Sequence, residues 1–155
     1  MPGVLPLDSL LARWRGEAVS SLLPGAKADD IRAAFEQAHS HATADIVRLY
    51  ERIGGMEISD NDWWLLWSLP EIVEAGTDVH PFGAQFSDYM LNCWTFRAKP
   101  VSAEVSEVYI DHHDSKPPLK VASSIDEFLA ALETDPMRVI NPGAWARSKS
   151  EVPDR

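Results

Sequence analysis

Apolar residues recur at helical spacing through the first third of the chain. Leu7, Leu10, Leu11 and Trp14 follow the i, i+3, i+4, i+7 rule and predict an amphipathic helix that starts near Asp8 and stops before Pro24-Gly25. Ile31, Ala34, Phe35 and Ala38 mark the face of a second helix, with Asp29 and Asp30 near its N-terminus, where the helix dipole favours negative charge. A third begins at Thr43, a residue suited to the N-cap, and carries Ile46, Leu49, Tyr50 and Ile53 as its stripe. Gly54-Gly55 is expected to end it, because glycine accepts the left-handed backbone of a helix C-cap.

The period then changes. Asp60-Asn61-Asp62 signals a turn, and Trp63 to Trp67 is an aromatic and aliphatic run of strand length. Ser68-Leu69-Pro70-Glu71 reads as a capping box opening a short helix over Ile72 and Val73, closed by Gly76. Strands are predicted near Phe82 to Phe86, Leu91 to Phe96 and Val105 to Ile110, with a brief edge strand over Leu119 to Ala122 after Lys116-Pro117-Pro118. Ser124-Ile125-Asp126-Glu127 is a second capping box, followed by the stripe Ile125, Phe128, Leu129, Leu132 and a stop at Asp135-Pro136. From Asn141 onward the chain is polar without periodicity and reads as a loose tail. Helices, then strands, then a helix predict an α+β domain with a mostly antiparallel sheet and helices packed against it.

A length of 155 residues suits one domain with its own core, and a 45% hydrophobic content is that of an ordinary globular chain. The six tryptophans point to an aromatic core or interface. No stretch reaches the length of a membrane span, the N-terminus lacks a basic, then apolar, leader pattern, and the single Cys93 has no partner for an internal disulfide. Together these predict a cytoplasmic protein. A net charge of −10 argues against nucleic acid and anionic membrane as partners, because phosphate binding requires Lys and Arg. The same charge would steer a basic protein inward, although solubility alone also explains it.

Catalytic signals are weak. Asp111-His112-His113-Asp114 contains residue types that ligate divalent ions, but neighbouring histidines on a strand point to opposite faces and no second spaced pair accompanies them; a solvated turn is the better reading. His39 and His41 lie in a helix-to-helix linker, and His80 precedes Pro81 in a loop. Cys93 shows no base or basic neighbour and reads as a small buried apolar residue. No nucleophile elbow, phosphate loop or dinucleotide fingerprint occurs, so neither enzyme activity nor a cofactor is expected. Asp60, Asp62, Glu71, Glu74 and Asp88 are candidates for a face that binds a basic partner, with plain acidic surface as the alternative. Trp63 and Trp64 face opposite sides of a strand, and the exposed one, taken as Trp63, is a candidate interface anchor.

The ordered series of Leu49-Tyr50, Gly54-Gly55, Trp67 to Ile72, Phe86 to Tyr89, Val108 to Ile110 and Ser124 to Leu129 resembles the SUKH superfamily of Smi/Knr-type domains, over about residues 24 to 140. One departure is Ile53, where the family usually has a polar residue, often Asn, before the paired glycines. Residues 1–23 would then be a helical extension packed on the domain, and 141–155 a polar tail. The resemblance implies helices on a central sheet and an interaction role. Bacterial members are typically immunity proteins that neutralise a cognate toxin, often a nuclease or nucleic-acid deaminase, and others are regulatory scaffolds. No catalytic residues come with it.

Overall fold

The computed structural model describes residues 6–16, 22–61, 63–90 and 93–143. Its helices are α1 (Pro6–Gly16), α2 (Ala28–Gln37), α3 (Ala44–Arg52), α4 (Leu69–Ala75), α5 (Ile125–Thr134) and α6 (Met137–Ile140). Its strands are β1 (Trp64–Leu66), β2 (Ala84–Tyr89), β3 (Trp94–Pro100), β4 (Ser106–Asp111) and β5 (Leu119–Ala122). Each strand pairs antiparallel with its sequence neighbours, so the sheet order is β1-β2-β3-β4-β5. This is an α+β single-domain fold. No described helix is long and apolar enough to cross a membrane.

Alternation along the strands sorts the side chains onto two faces. Leu66, Phe86, Phe96, Ala98, Val108 and Ile110 point into the core, where Phe128 of α5 packs against the rings of Trp64, Phe86 and Phe96 at 4.9–6.1 Å. A bulge between Gln85 and Ser87 turns both Phe86 and Ser87 inward, and so keeps Asp88 on the opposite face beside Thr95. The helix α1 is part of this core: Trp14 is fully buried and stacks on Trp64 at 5.6 Å with an interplanar angle of 17°. Tyr50 of α3 reaches across and donates its hydroxyl to the Trp67 carbonyl at 2.8 Å. Burial, and secondarily the Glu71 charge, raise its pKa well above the ordinary tyrosine value.

A buried polar node ties three element starts together. The Asp45 carboxylate, just inside α3, accepts from Thr43 Oγ1 at 2.5 Å, from the Ser106 N–H at 3.3 Å and from the Ile125 N–H at 3.0 Å. Thr43 and Ser106 also join hydroxyl to hydroxyl at 2.6 Å. One side chain thereby fixes α3, β4 and α5 relative to each other.

Several expectations are corrected. The paired glycines do not supply a left-handed C-cap: α3 ends on Ile53 in an extended conformation at φ −150°. Their role is close backbone approach, since a Cβ at Gly54 would lie 2.3 Å from the Pro24 carbonyl oxygen, and Gly55 has φ +135° against the Ser68 backbone. The strands β2 and β3 start two to three residues later than expected. Gly83, at φ +86° and pressed against the Ala98 carbonyl, holds the chain in a turn until Ala84. At the other end, Met90 turns with φ +54° and delays β3 to Trp94. Cys93 is exposed, not buried, because it sits in that turn with its N–H on the Met90 carbonyl. The capping box at Ser68 is complete, whereas at Ser124 the Glu127 carboxylate accepts from the Ser123 N–H instead of the cap's own. The end expected for the first helix, the Leu91 to Asn92 start of a strand and the tail from 144 onward lie outside the described residues.

Candidate functional site

The six residues expected to face a partner divide by burial. Asp60 is only 5% exposed, and its carboxylate accepts from the Trp14 indole N–H at 3.0 Å, the Trp64 N–H at 3.0 Å and Arg13 at 3.2 Å. Asp88 is 2% exposed and accepts from the Trp67 indole N–H at 2.6 Å. Both carboxylates are therefore fastened inside the fold and are withdrawn from any partner face. A buried carboxylate persists only where donors surround it, and the tryptophans supply them. Asp62 lies outside the described residues.

Glu71, Glu74 and Trp63 reach solvent. The Glu71 carboxylate accepts from both the N–H and the hydroxyl of Ser68 at 2.9 Å, so part of its bonding capacity closes the start of α4. Glu74 stands one turn further along α4 and is exposed. Trp63 is 52% exposed at the opposite end of β1 from α4. Its backbone is left-handed, at φ +67°, which is unusual for a bulky aromatic residue. The Asp60 carbonyl accepts its N–H, and its own carbonyl accepts the N–H of Met90, itself exposed. An exposed indole held in an unfavourable backbone well contributes little to stability.

Two surfaces remain to be compared as sites. On the sheet face away from α5, the cations Arg97, Lys99 and Lys120 stand against Asp88, Glu107 and Asp111, three charges of each sign. Arg97 donates Nε to Asp111 at 3.1 Å and Nη1 to the Gly83 carbonyl at 2.9 Å. Burial pushes the Asp111 pKa up, but the His113 N–H and Arg97 outweigh it and hold the carboxyl below its ordinary value. Lys120 bonds Glu107 at 2.9 Å, lowering the pKa of the glutamate and raising that of the lysine. Lys99 lies over the rings of Phe82 and Tyr109 at 5.6 and 5.7 Å. Beside this face, His80 accepts the Phe82 N–H at Nδ1, and burial, then Arg97, lower its pKa. Arg97 with Asp111 and Lys120 with Glu107 form direct ion pairs and the signs on this face are equal in number, so it projects little net field.

The segment from Asp111 to Asp114 is engaged in the same way. The Asp111 carboxylate accepts the His113 N–H at 2.9 Å, the His113 ring bonds the Thr95 hydroxyl at 2.9 Å, and the His112 ring packs edge-on to Trp94 at 4.6 Å. The two imidazoles thus serve opposite faces of the sheet. Among the described residues, no group of three or more His, Cys, Asp or Glu is placed to hold a metal ion.

The second surface lies between α2 and α4. A shallow, wide-open groove of about 560 Å³ lies there, floored by Ala33, Ala34, Leu69, Pro70 and Val73 and rimmed by Asp30, Gln37 and Glu74. The α2 contribution is the stripe 30, 33, 34, 37, one face of a helix. Among the described residues, no Lys, Arg or His lines the groove. Its carboxylates stand on the rim, where they meet water or a partner and nothing inside the fold. Among the described residues, Glu74 is the one member of the expected partner face that lines this groove, and Asp30, Ala33 and Val73 join it there. A signal was present in the sequence, since Asp30 and Gln37 bracket the apolar pair Ala33-Ala34 at helical spacing. No family model matches the chain, and no curated protein sequence matches it either.

Proposed function

We propose that this chain is a protein-binding module that acts as a cytoplasmic immunity protein, neutralising a cognate toxin with a basic surface such as a nuclease or nucleic-acid deaminase. The observation that carries the reading is the α2–α4 groove, whose rim holds Asp30 and Glu74 and whose lining, among the described residues, includes no cation. A toxin that acts on nucleic acid must itself attract phosphate, so it presents the complementary charge. The net charge of −10 extends the attraction beyond the contact. The resemblance to SUKH domains supports the same reading, and the α+β fold accords with it. The work is binding and not catalysis, and it needs no cofactor.

A second reading, a regulatory scaffold with an endogenous partner, draws on the same resemblance. Co-expression with the polypeptide encoded immediately upstream separates the two. Survival of cells carrying an otherwise lethal neighbour, together with a co-purifying complex, is the expected result. A harmless neighbour that does not bind would move the assignment to the scaffold.

A further inference from the structure

We infer that the α2–α4 groove is the seat of a basic amphipathic helix, which lays its apolar face on the groove floor and its cations against the rim. The inference rests on the protein-binding reading and specifies the occupant. Three features of the groove define that occupant. Its floor is apolar and accessible: Ala33, Leu69 and Val73 are half-buried and Pro70 is exposed. Its rim is acidic on both helices, with Asp30 on α2 and Glu74 on α4. Its walls are two helices, and a third helix packs between two helices by setting one row of side chains into the channel between them.

Size sets the length of the occupant. The ten residues of α2 span about 15 Å. A segment of about three turns would match it, with apolar anchors at i, i+3 or i+4, and i+7. Lys or Arg flanking those anchors would meet Asp30 and Glu74. A chain with acidic flanks would be repelled by the same rim. Charge alone does not define the site, because the floor requires a continuous apolar stripe and a merely basic coil has none.

The test uses the full chain, labelled for NMR, and a synthetic 14-residue Leu/Lys peptide with leucine at helical spacing. A peptide of identical composition but scrambled order and a Leu/Glu peptide are the controls. The expected result is saturable shifts centred on Ala33, Leu69 and Val73 with the patterned peptide alone. Affinity should fall about tenfold or more in D30K/E74K and by a similar factor in V73N, which removes apolar floor without altering charge. The variants' amide spectra report whether each remains folded. Equal binding of the scrambled peptide, shifts centred elsewhere, no saturable binding, or unchanged affinity in folded V73N would each overturn the inference. Failure of the immunity reading looks different: the wild-type chain would not rescue cells from the neighbouring gene product while the peptide still occupied the groove. Conversely, rescue by D30K/E74K and V73N as complete as that by the wild type would remove the groove and leave the immunity reading in place.

Discussion

Two populations of carboxylate in this protein do different things. Asp45, Asp60 and Asp88 are buried and receive hydrogen bonds from backbone N–H groups, a threonine hydroxyl, an arginine or tryptophan indoles. Asp30 and Glu74 stand on the rim of an apolar groove. The first group holds elements together, whereas the second is positioned to meet a partner. A net charge read from sequence adds both together, although only the exposed charges attract a basic protein at full strength. Burial, not residue type, decides which function a carboxylate has.

The most severe way to break the comparison is at Asp45. Asp45→Ala leaves the Ser106 and Ile125 N–H groups without their acceptor inside the fold. A loss of about 3–4 kcal/mol is expected from chemical denaturation; a loss under about 1 kcal/mol would mean that water replaces the carboxylate with little penalty. Trp67→Phe removes the indole N–H from Asp88 and trims a nearly buried ring, for an expected cost of about 2 kcal/mol.

Acid should remove the stability that the depressed groups of the paired sheet face contribute. The folded pKa of Asp111 lies below its unfolded value, so its contribution is complete above the unfolded pKa, near 4, and is lost as pH falls through the lower folded value. His80 has the same sign: its folded pKa is depressed, so the stability contributed by the neutral ring is present above about pH 6.5 and declines as pH falls through the folded value. Stability measured against pH should therefore lose its lowest limb in Asp111→Asn and its shallow limb below pH 6.5 in His80→Gln. D30K/E74K should cost about 0.5–1 kcal/mol by thermal unfolding, because Asp30 stands in the first turn of α2, where the helix dipole favours negative charge, while both side chains are otherwise exposed. Trp63→Asn should leave stability unchanged or raise it by a few tenths of a kcal/mol, since Asn tolerates the left-handed backbone better.

Legibility in the sequence followed the range of the interactions. The stripes of α2, α3 and α5 and the Ser68–Glu71 box were readable because their partners lie three or four residues apart. The antiparallel order followed from strands joined by short turns. What escaped the sequence was long-range. Asp60 reads locally as a surface turn residue, and its bond to Trp14 lies forty-six positions away, beyond any local pattern. Asp45 gave no local sign of its link to Ile125, eighty positions on. Asp88 stays beside Trp67 because a bulge offsets the register by one residue, and alternation alone does not predict bulges. Cys93 followed the apolar pattern of a strand, but a left-handed Met90 placed it in the turn. Half of the groove was readable at Glu74, and the other half required knowing that α2 packs beside α4.

The account rests on exposed carboxylates of the helical face drawing in a basic partner. The most direct test is the association rate of the complex recovered from co-expression, measured by stopped flow at low and high salt for the wild type and D30K/E74K. The account predicts a wild-type rate that falls about tenfold or more as salt rises, and a D30K/E74K rate that is lower at low salt and falls less steeply. A wild-type rate that does not change with salt, or a D30K/E74K chain that associates as fast as the wild type, would contradict it.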